Sequence, residues 1–175
     1  MNRPKMNLPF EECYWVLPGS VMAGEYPASK YFEHETRRRL SGLLLLGIDT
    51  WIDLTAPGEL PDYEGVLLEE AGWMDKTVTH NRFYIEDFGI PTTEQMKNLL
   101  SFMDKALQEH HRLYIHCYAG IGRTGTVVGC FLTQRNGISG DAALTLLADL
   151  RKDCPSSRYS SPQSLEQWEM VKNWK

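Results

Sequence analysis

The sequence predicts one α/β domain, a central sheet flanked by helices. Three observations carry that expectation. The chain has 175 residues, the size of one domain and enough to bury a core without disulfide or metal staples. Short β-type runs and helical patterns are interleaved along it. One of the passages between them runs strand, glycine-rich loop, helix start. Composition agrees: 42% hydrophobic, 23% charged and 11% aromatic residues describe a packed domain rather than a disordered chain. No internal repeat, low-complexity tract or long linker divides residues 1–175, so a single domain is expected.

The elements follow in order. Tyr14 to Met22 reads as an early strand interrupted by the turn Pro18-Gly19. Lys30 to Leu46 reads as a helix closed by Gly47. It holds the only dense basic run, Arg37-Arg38-Arg39, which lies beside Glu33 and Glu35 and reads as a solvated helix face rather than a binding patch. Asp49 to Leu54 is a short β-type run ending at Pro57-Gly58, and Arg82 to Ile85 is another. Glu86 to Pro91 breaks regular structure. Thr93 supplies the N-cap of a helix reaching about His110. Leu113 to His116 is a short buried strand, and Arg123 to Arg135 an apolar helix stopped by Gly137. Ser139 caps a helix over Asp141 to Lys152. Ser161-Pro162 opens the final helix to Trp174, with proline in the first turn, where its missing N–H costs nothing.

Charge and hydropathy narrow the partners. The formal net charge is -5 and the pI about 5.5, so no global basic field gathers nucleic acid or anionic lipid. The longest unbroken aliphatic run, Leu43 to Leu46, is far too short for a membrane span. Met1 to Glu12 holds no apolar signal core, so a cytoplasmic location is expected, together with a monomer. The four cysteines, Cys13, Cys117, Cys130 and Cys154, form no CxxC pair and no zinc spacing, and are expected as free thiols with no metal or cofactor.

The chemistry concentrates in His116-Cys117-Tyr118-Ala119-Gly120-Ile121-Gly122-Arg123-Thr124-Gly125. A loop of this kind points several backbone N–H groups into one concavity, and the following helix adds its positive end. Gly120 and Gly122 let the backbone curl without Cβ clashes. Tyr118, Ala119, Gly120, Ile121 and Gly122 then form a nest for a tetrahedral oxyanion. Cys117 enters it at the strand end and Arg123 closes it at the helix end. Oriented amides and a guanidinium should ionise that thiol far below its free value of about 8.5. The thiolate is a nucleophile aimed at bound phosphorus, and reversible inactivation by peroxide is expected with it. Arg123 can grip two oxygens with its planar fork, as lysine cannot. Thr124 can offer its hydroxyl to the sulfur, and His116 can hydrogen-bond nearby backbone and hold the loop. The leaving oxygen needs a general acid. Asp87, in the irregular Glu86–Pro91 segment, is the candidate, ahead of Glu86, Asp75 and Asp104. The same carboxylate can then deprotonate the water that hydrolyses the phosphocysteine.

A bare Cys-x5-Arg would arise by chance in roughly one such chain in four. Adding the preceding His, the Gly and the following Thr-Gly lowers that to well under about one in ten thousand. These residues resemble the cysteine-dependent protein tyrosine and dual-specificity phosphatase family, whose signature is His-Cys-x5-Arg-(Ser/Thr). The likeness extends over most of the chain: Trp15 to Gly19 and Ala23 to Pro27 are similar to the opening of small bacterial members, Asp53-Leu54-Thr55 to a strand end, Ile85 to Pro91 to the acid loop, Thr124 to Cys130 to the helix after the signature, and Ser161-Pro162-Gln163 with Glu166-Gln167 to the closing helix. The resemblance implies a mostly parallel sheet in a protein tyrosine phosphatase-like fold. It implies Cys117 as nucleophile, Arg123 as phosphate clamp and Asp87 as acid and base. The implied reaction is metal-free hydrolysis of phosphoprotein monoesters, phosphotyrosine first, with phosphoserine and phosphothreonine as the extension. No Trp-Pro-Asp triplet is present, which disfavours the larger tyrosine-specific branch. Tyr118, Ala119 and Ile121 are uncharged, which disfavours a phosphoinositide or inositol phosphate.

Other readings stand beside these. Gly120 to Gly125 also matches G-x-G-x-x-G, but the acidic residue of a second strand is missing about 20 residues on, where Asp141 to Leu150 reads helical. A phosphate-binding module without turnover would need the cradle alone. Arsenate reduction or sulfur transfer would place the signature near the N-terminus with its acid downstream. Cys130 is expected in the core, with a resolving-thiol role as its alternative. Gln163 and Gln167 are expected on a helix surface, with the positioning of water as theirs.

Overall fold

The computed structural model describes residues 8–175; the expectation about Met1 to Asn7 lies outside them. Two strands, β1 (Cys13–Leu17) and β2 (Val21–Gly24), form an antiparallel hairpin. Gly19, at φ 73°, takes the left-handed conformation its turn needs. The single interrupted strand of the sequence reading is thus two strands. They are followed by α1 (Glu33–Leu45), β3 (Thr50–Asp53), α2 (Glu64–Trp73), β4 (Thr79–Arg82), α3 (Thr93–Gln108) and β5 (Leu113–His116). The chain closes with α4 (Gly122–Asn136), α5 (Gly140–Leu150), a short 3-10 turn and α6 (Leu165–Lys172). The five-stranded sheet has the order β1-β2-β5-β3-β4, and β2, β5, β3 and β4 pair in parallel.

Strand periodicity divides the core between the two faces of this sheet. Val21, Ala23, Ile52, Leu113 and Ile115 face the cluster shared with α3, α4, α5 and α6. Met22, Trp51 and Tyr114, one residue out of phase, face the cluster shared with α1 and α2. Central strands buried on both sides are near-continuous apolar runs, as in Leu113-Tyr114-Ile115.

Gly47 and Gly137 follow α1 and α4 at φ 83° and 61°, and Ser139 caps α5 by accepting from the Ala142 N–H, as the sequence indicates. Other boundaries differ. α1 starts at Glu33, three residues after the expected Lys30, because Ser29 holds Tyr31 and Phe32 in a turn. α2 went unread: Tyr63 offers it no side-chain cap, and Gly65 and Gly72 dilute its helical signal. β4 lies over Thr79–Arg82 and not over Arg82 to Ile85, because this edge strand is polar and the apolar residues come just after it. The cap of α3 is Thr92, one residue before the expected Thr93, in a capping box with Gln95. α6 starts at Leu165 behind a Ser164–Gln167 capping box, so Pro162 precedes the cap instead of occupying the first turn. The Arg37–Arg39 run does more than face solvent. Arg37 pairs with Glu33 on its own helix and with Glu69 and Glu70 on α2, fastening the two helices together.

The register decides where the site forms. Gly24, His116, Asp53 and Arg82 lie side by side, in that spatial order, at the carboxyl ends of the four parallel strands. The four loops that follow them therefore open on one edge of the sheet, where α/β proteins bind their ligands. No helix among the described residues is long and apolar enough to cross a membrane.

Candidate active site

The loop after β5 carries Cys117, buried to 3% exposure, and returns into α4 one residue before Arg123. Among the described residues, the N–H groups of Tyr118, Ala119, Gly120 and Ile121 donate to no protein acceptor. Together with the unpaired first turn of α4 they form an anion-binding concavity. Gly120 is indispensable to that shape. It lies at φ 70°, and a Cβ there would sit 2.3 Å from the Gly24 carbonyl carbon and 2.6 Å from the Glu25 nitrogen. The loop is locked against the end of β2 from the other side too, where the Tyr26 N–H donates to the Tyr118 carbonyl at 2.9 Å. Ser161 Oγ donates to the Ile121 carbonyl at 2.7 Å and holds the start of α4.

The guanidinium of Arg123 is buried, so its charge has to be matched by nearby acceptors. Nη1 donates to Glu59 Oε2 at 2.9 Å and to the Ile85 carbonyl at 3.3 Å. Nη2 donates to Glu59 Oε1 at 2.7 Å and lies 3.2 Å from Asp87 Oδ1. Burial opposes the charge, but the Glu59 bonds and the surrounding anionic groups together outweigh it and raise the Arg123 pKa. In turn, hydrogen bonds from Arg123 hold the Glu59 carboxyl below its ordinary value. Glu59 thus grips the Nη1–Nη2 end with Asp87 at the Nη2 corner, and among the described residues Nε donates to no protein acceptor.

Asp87 is therefore brought to Arg123 as the sequence reading requires, at the exposed mouth of the site. Its loop is tied down at both ends. The Ile85 carbonyl accepts from Arg123, and the Gly89 carbonyl accepts from Gln167 Nε2 at 3.0 Å. Phe88 between them has a φ of 59°, a left-handed conformation uncommon for a bulky side chain. The rival acids are elsewhere. Asp104, within α3, accepts from Gln134 of α4, Asp75 lies in the turn after α2, and Glu86 makes no ion pair with Arg123.

Behind the loop stands a buried polar network. His116 is fully buried; its Nε2 is 2.6 Å from Tyr63 Oη and its Nδ1 is 3.3 Å from the Cys117 carbonyl. Burial pushes its pKa down to about 4, so the ring is neutral near pH 7. Nδ1 then carries the proton and donates to the loop, while Nε2 accepts from Tyr63. Asp53 Oδ1 stands 3.9 Å from that Nδ1. Its carboxylate accepts from the Thr55 N–H and hydroxyl, from His80 and from Arg82. Burial disfavours the Asp53 charge, but these donors win and hold its pKa far below the usual carboxylate range.

Two placements depart from the sequence reading. Thr124 Oγ1 is buried and has no hydrogen-bond partner among the described residues, so the expected donation to the Cys117 sulfur is not formed. Gln167 is not a surface residue: it is fully buried, accepts from the Gln163 and Ser164 N–H groups and holds the acid loop. Gln163 is exposed, and its Oε1 and the Gln167 amide fill the space against Gly122. Cys130 is in the core as expected, where burial pushes its thiol up to about 12 and suits it poorly to a resolving role. Sequence reasoning missed Glu59, Tyr63 and the ligands of Asp53. The available signal was topological: once β3 is parallel to β5, the loop after Asp53 has to open beside Cys117. No cluster of three or more His, Cys, Asp or Glu suited to a metal occurs among the described residues.

Comparison with known proteins gives the same picture. A family model described as the Swiss Army Knife protein, DSP-PTPase phosphatase domain matches residues 10–170. A mouse (Mus musculus) relative, protein tyrosine phosphatase domain-containing protein 1, is 28% identical over 151 residues, which cover 82% of this chain but 20% of the relative. The chain thus spans about a fifth of that relative's length. The crystal structure of Tk-PTP in its active form superposes with a TM-score of 0.68 at 26% identity, covering 93% of this chain and 95% of that one. PTPMT1 in complex with PI(5)P has the same fold, with a TM-score of 0.68 at 19% identity over 93% of each chain.

Proposed function

The chain belongs to the DSP-PTPase family and is a phosphatase domain of that type, and from that premise we propose that it hydrolyses phosphotyrosine in proteins through a cysteinyl-phosphate intermediate. Phosphothreonine and phosphoserine extend the same chemistry. The observation that supports it best is the meeting of Arg123 and Asp87 at 3.2 Å above a loop that begins with Cys117. A phosphate-binding module has no use for that carboxylate; a phosphatase needs it.

In the proposed reaction the dianionic phosphoryl group enters the loop amides and the open side of Arg123. Cys117 Sγ attacks phosphorus, forming an S–P bond as the ester P–O bond breaks. Asp87 gives its proton to the departing oxygen. Water then attacks phosphorus, Asp87 takes a proton from it, and the S–P bond breaks to release inorganic phosphate and restore the thiolate. Every proton and electron pair is returned, and the loop amides stabilise the charge that gathers on the phosphoryl oxygens.

A series of aryl phosphates with leaving groups of graded basicity tests the acid. Asp87→Asn should lower kcat on poor leaving groups by about 100-fold or more and spare good ones. Uniform slowing across the series would remove Asp87 from that role. Phosphotyrosyl and phosphothreonyl peptides and PI(5)P vesicles, run in parallel with chelator present, separate the protein reading from the lipid one that the PTPMT1 likeness raises. The uncharged side chains of Tyr118, Ala119 and Ile121 favour the protein.

A further inference from the structure

The segment after β2 is fastened to the signature loop and ends in a rigid, exposed turn. Ser29 Oγ accepts from the N–H groups of both Tyr31 and Phe32, at 3.2 and 3.1 Å, and the Ser29 N–H donates to Thr36 Oγ1 at 2.9 Å. Nothing in that arrangement buries the two aromatic rings: Tyr31 is 85% and Phe32 59% exposed. Preorganised aromatic side chains left in water beside a binding site are the usual mark of a contact surface.

Lys30 joins this turn to the catalytic loop. Its ammonium lies 4.4 Å from the centre of the Tyr118 ring and 3.3 Å from Tyr118 Oη, and Tyr118, half-exposed, is the residue after Cys117. Among the described residues Lys30 pairs with no carboxylate, unlike Arg123, whose charge Glu59 and Asp87 already match. The acid loop adds Asp87 to the mouth, beside Glu59. A ligand with several phosphates would meet two carboxylates and a single unmatched cation there. One carboxylate beside one phosphate fits.

We infer that Lys30, held on Tyr118, selects phosphotyrosyl segments with an acidic residue next to the phosphotyrosine, while Tyr31 and Phe32 receive the side chains around it. This rests on the phosphoprotein reading and goes further, naming the sequence class and the residue that reads it. An ion pair at an exposed site is modest, so the preference for acidic over neutral neighbours is about three- to fivefold at low salt and fades as salt rises.

The test is the ratio of kcat/KM for two phosphotyrosyl peptides, one with Asp and one with Ala beside the phosphotyrosine. The ratio cancels any loss of folded enzyme. It should be about three to five in the wild type, persist in Lys30→Arg, fall to about one in Lys30→Ala and drop below one in Lys30→Glu. Hydrolysis of both peptides with the same ratio in all four proteins would overturn the inference and leave the phosphoprotein function standing. If neither peptide is hydrolysed while an aryl phosphate is, the phosphoprotein reading itself fails, and this inference with it.

Discussion

Arg123 has five N–H donors, and the protein's own groups engage both of its terminal nitrogens before any substrate arrives. That economy fixes the plane of the guanidinium. Glu59 occupies one end, and the loop closed by the bond from the Ala56 N–H to Glu59 Oε2 holds the carboxylate still. Glu59 is therefore a positioning residue. Glu59→Gln keeps the shape but replaces a charged acceptor with a neutral one, and kcat/KM on an aryl phosphate should fall about tenfold; Glu59→Ala, which leaves the guanidinium unpaired, should cost more. Activity equal to wild type in both variants would show that the pair is idle. Cys117, Arg123 and Asp87 were legible because their residue types and spacing state their chemistry. Glu59 was not, because its partner is 64 residues away and only the folded sheet brings them together.

At the scale of elements, the row Gly24, His116, Asp53 and Arg82 ties strand ends to chemistry. Its buried network predicts how the fold answers acid. The His116 pKa is pushed from 6.5 down to about 4 by burial. The unfolded chain thus binds a proton first, and stability falls as pH drops from 6.5 to 4, by about 3 kcal/mol in all from this residue. Asp53 adds to the loss at lower pH: its folded pKa is depressed, so its contribution is complete above the unfolded value and vanishes as pH falls toward the folded one. Urea midpoints measured from pH 7 to 4 should decline, and the decline above pH 4.5 should flatten in His116→Asn. A midpoint independent of pH across that window would contradict a buried neutral His116. The helices with clear caps and stops, α4 and α5, were read from sequence nearly to the residue. β4 and α2 were not, since a polar edge strand and a glycine-bearing helix draw their stability from packing and ion pairs that local pattern does not encode.

For the whole molecule, the parallel sheet turns four loops toward one edge, and each supplies one part of the site: Lys30 after β2, Cys117 after β5, Glu59 after β3 and Asp87 after β4. The alternation of strand and helix made this architecture legible as a class; the strand order, which sets the neighbours of the catalytic loop, depends on pairings that the sequence leaves open. The function proposed for this arrangement requires a phosphoryl group to pass through sulfur. Rapid acid quench of enzyme mixed with a 32P-labelled phosphotyrosyl peptide measures that passage. The account predicts label bound to Cys117, absent in Cys117→Ser, and increased in Asp87→Asn when a labelled aryl phosphate with a good leaving group replaces the peptide, because hydrolysis of the intermediate is then the slowed step. An active preparation that releases labelled phosphate without labelling Cys117 at any time point would contradict it.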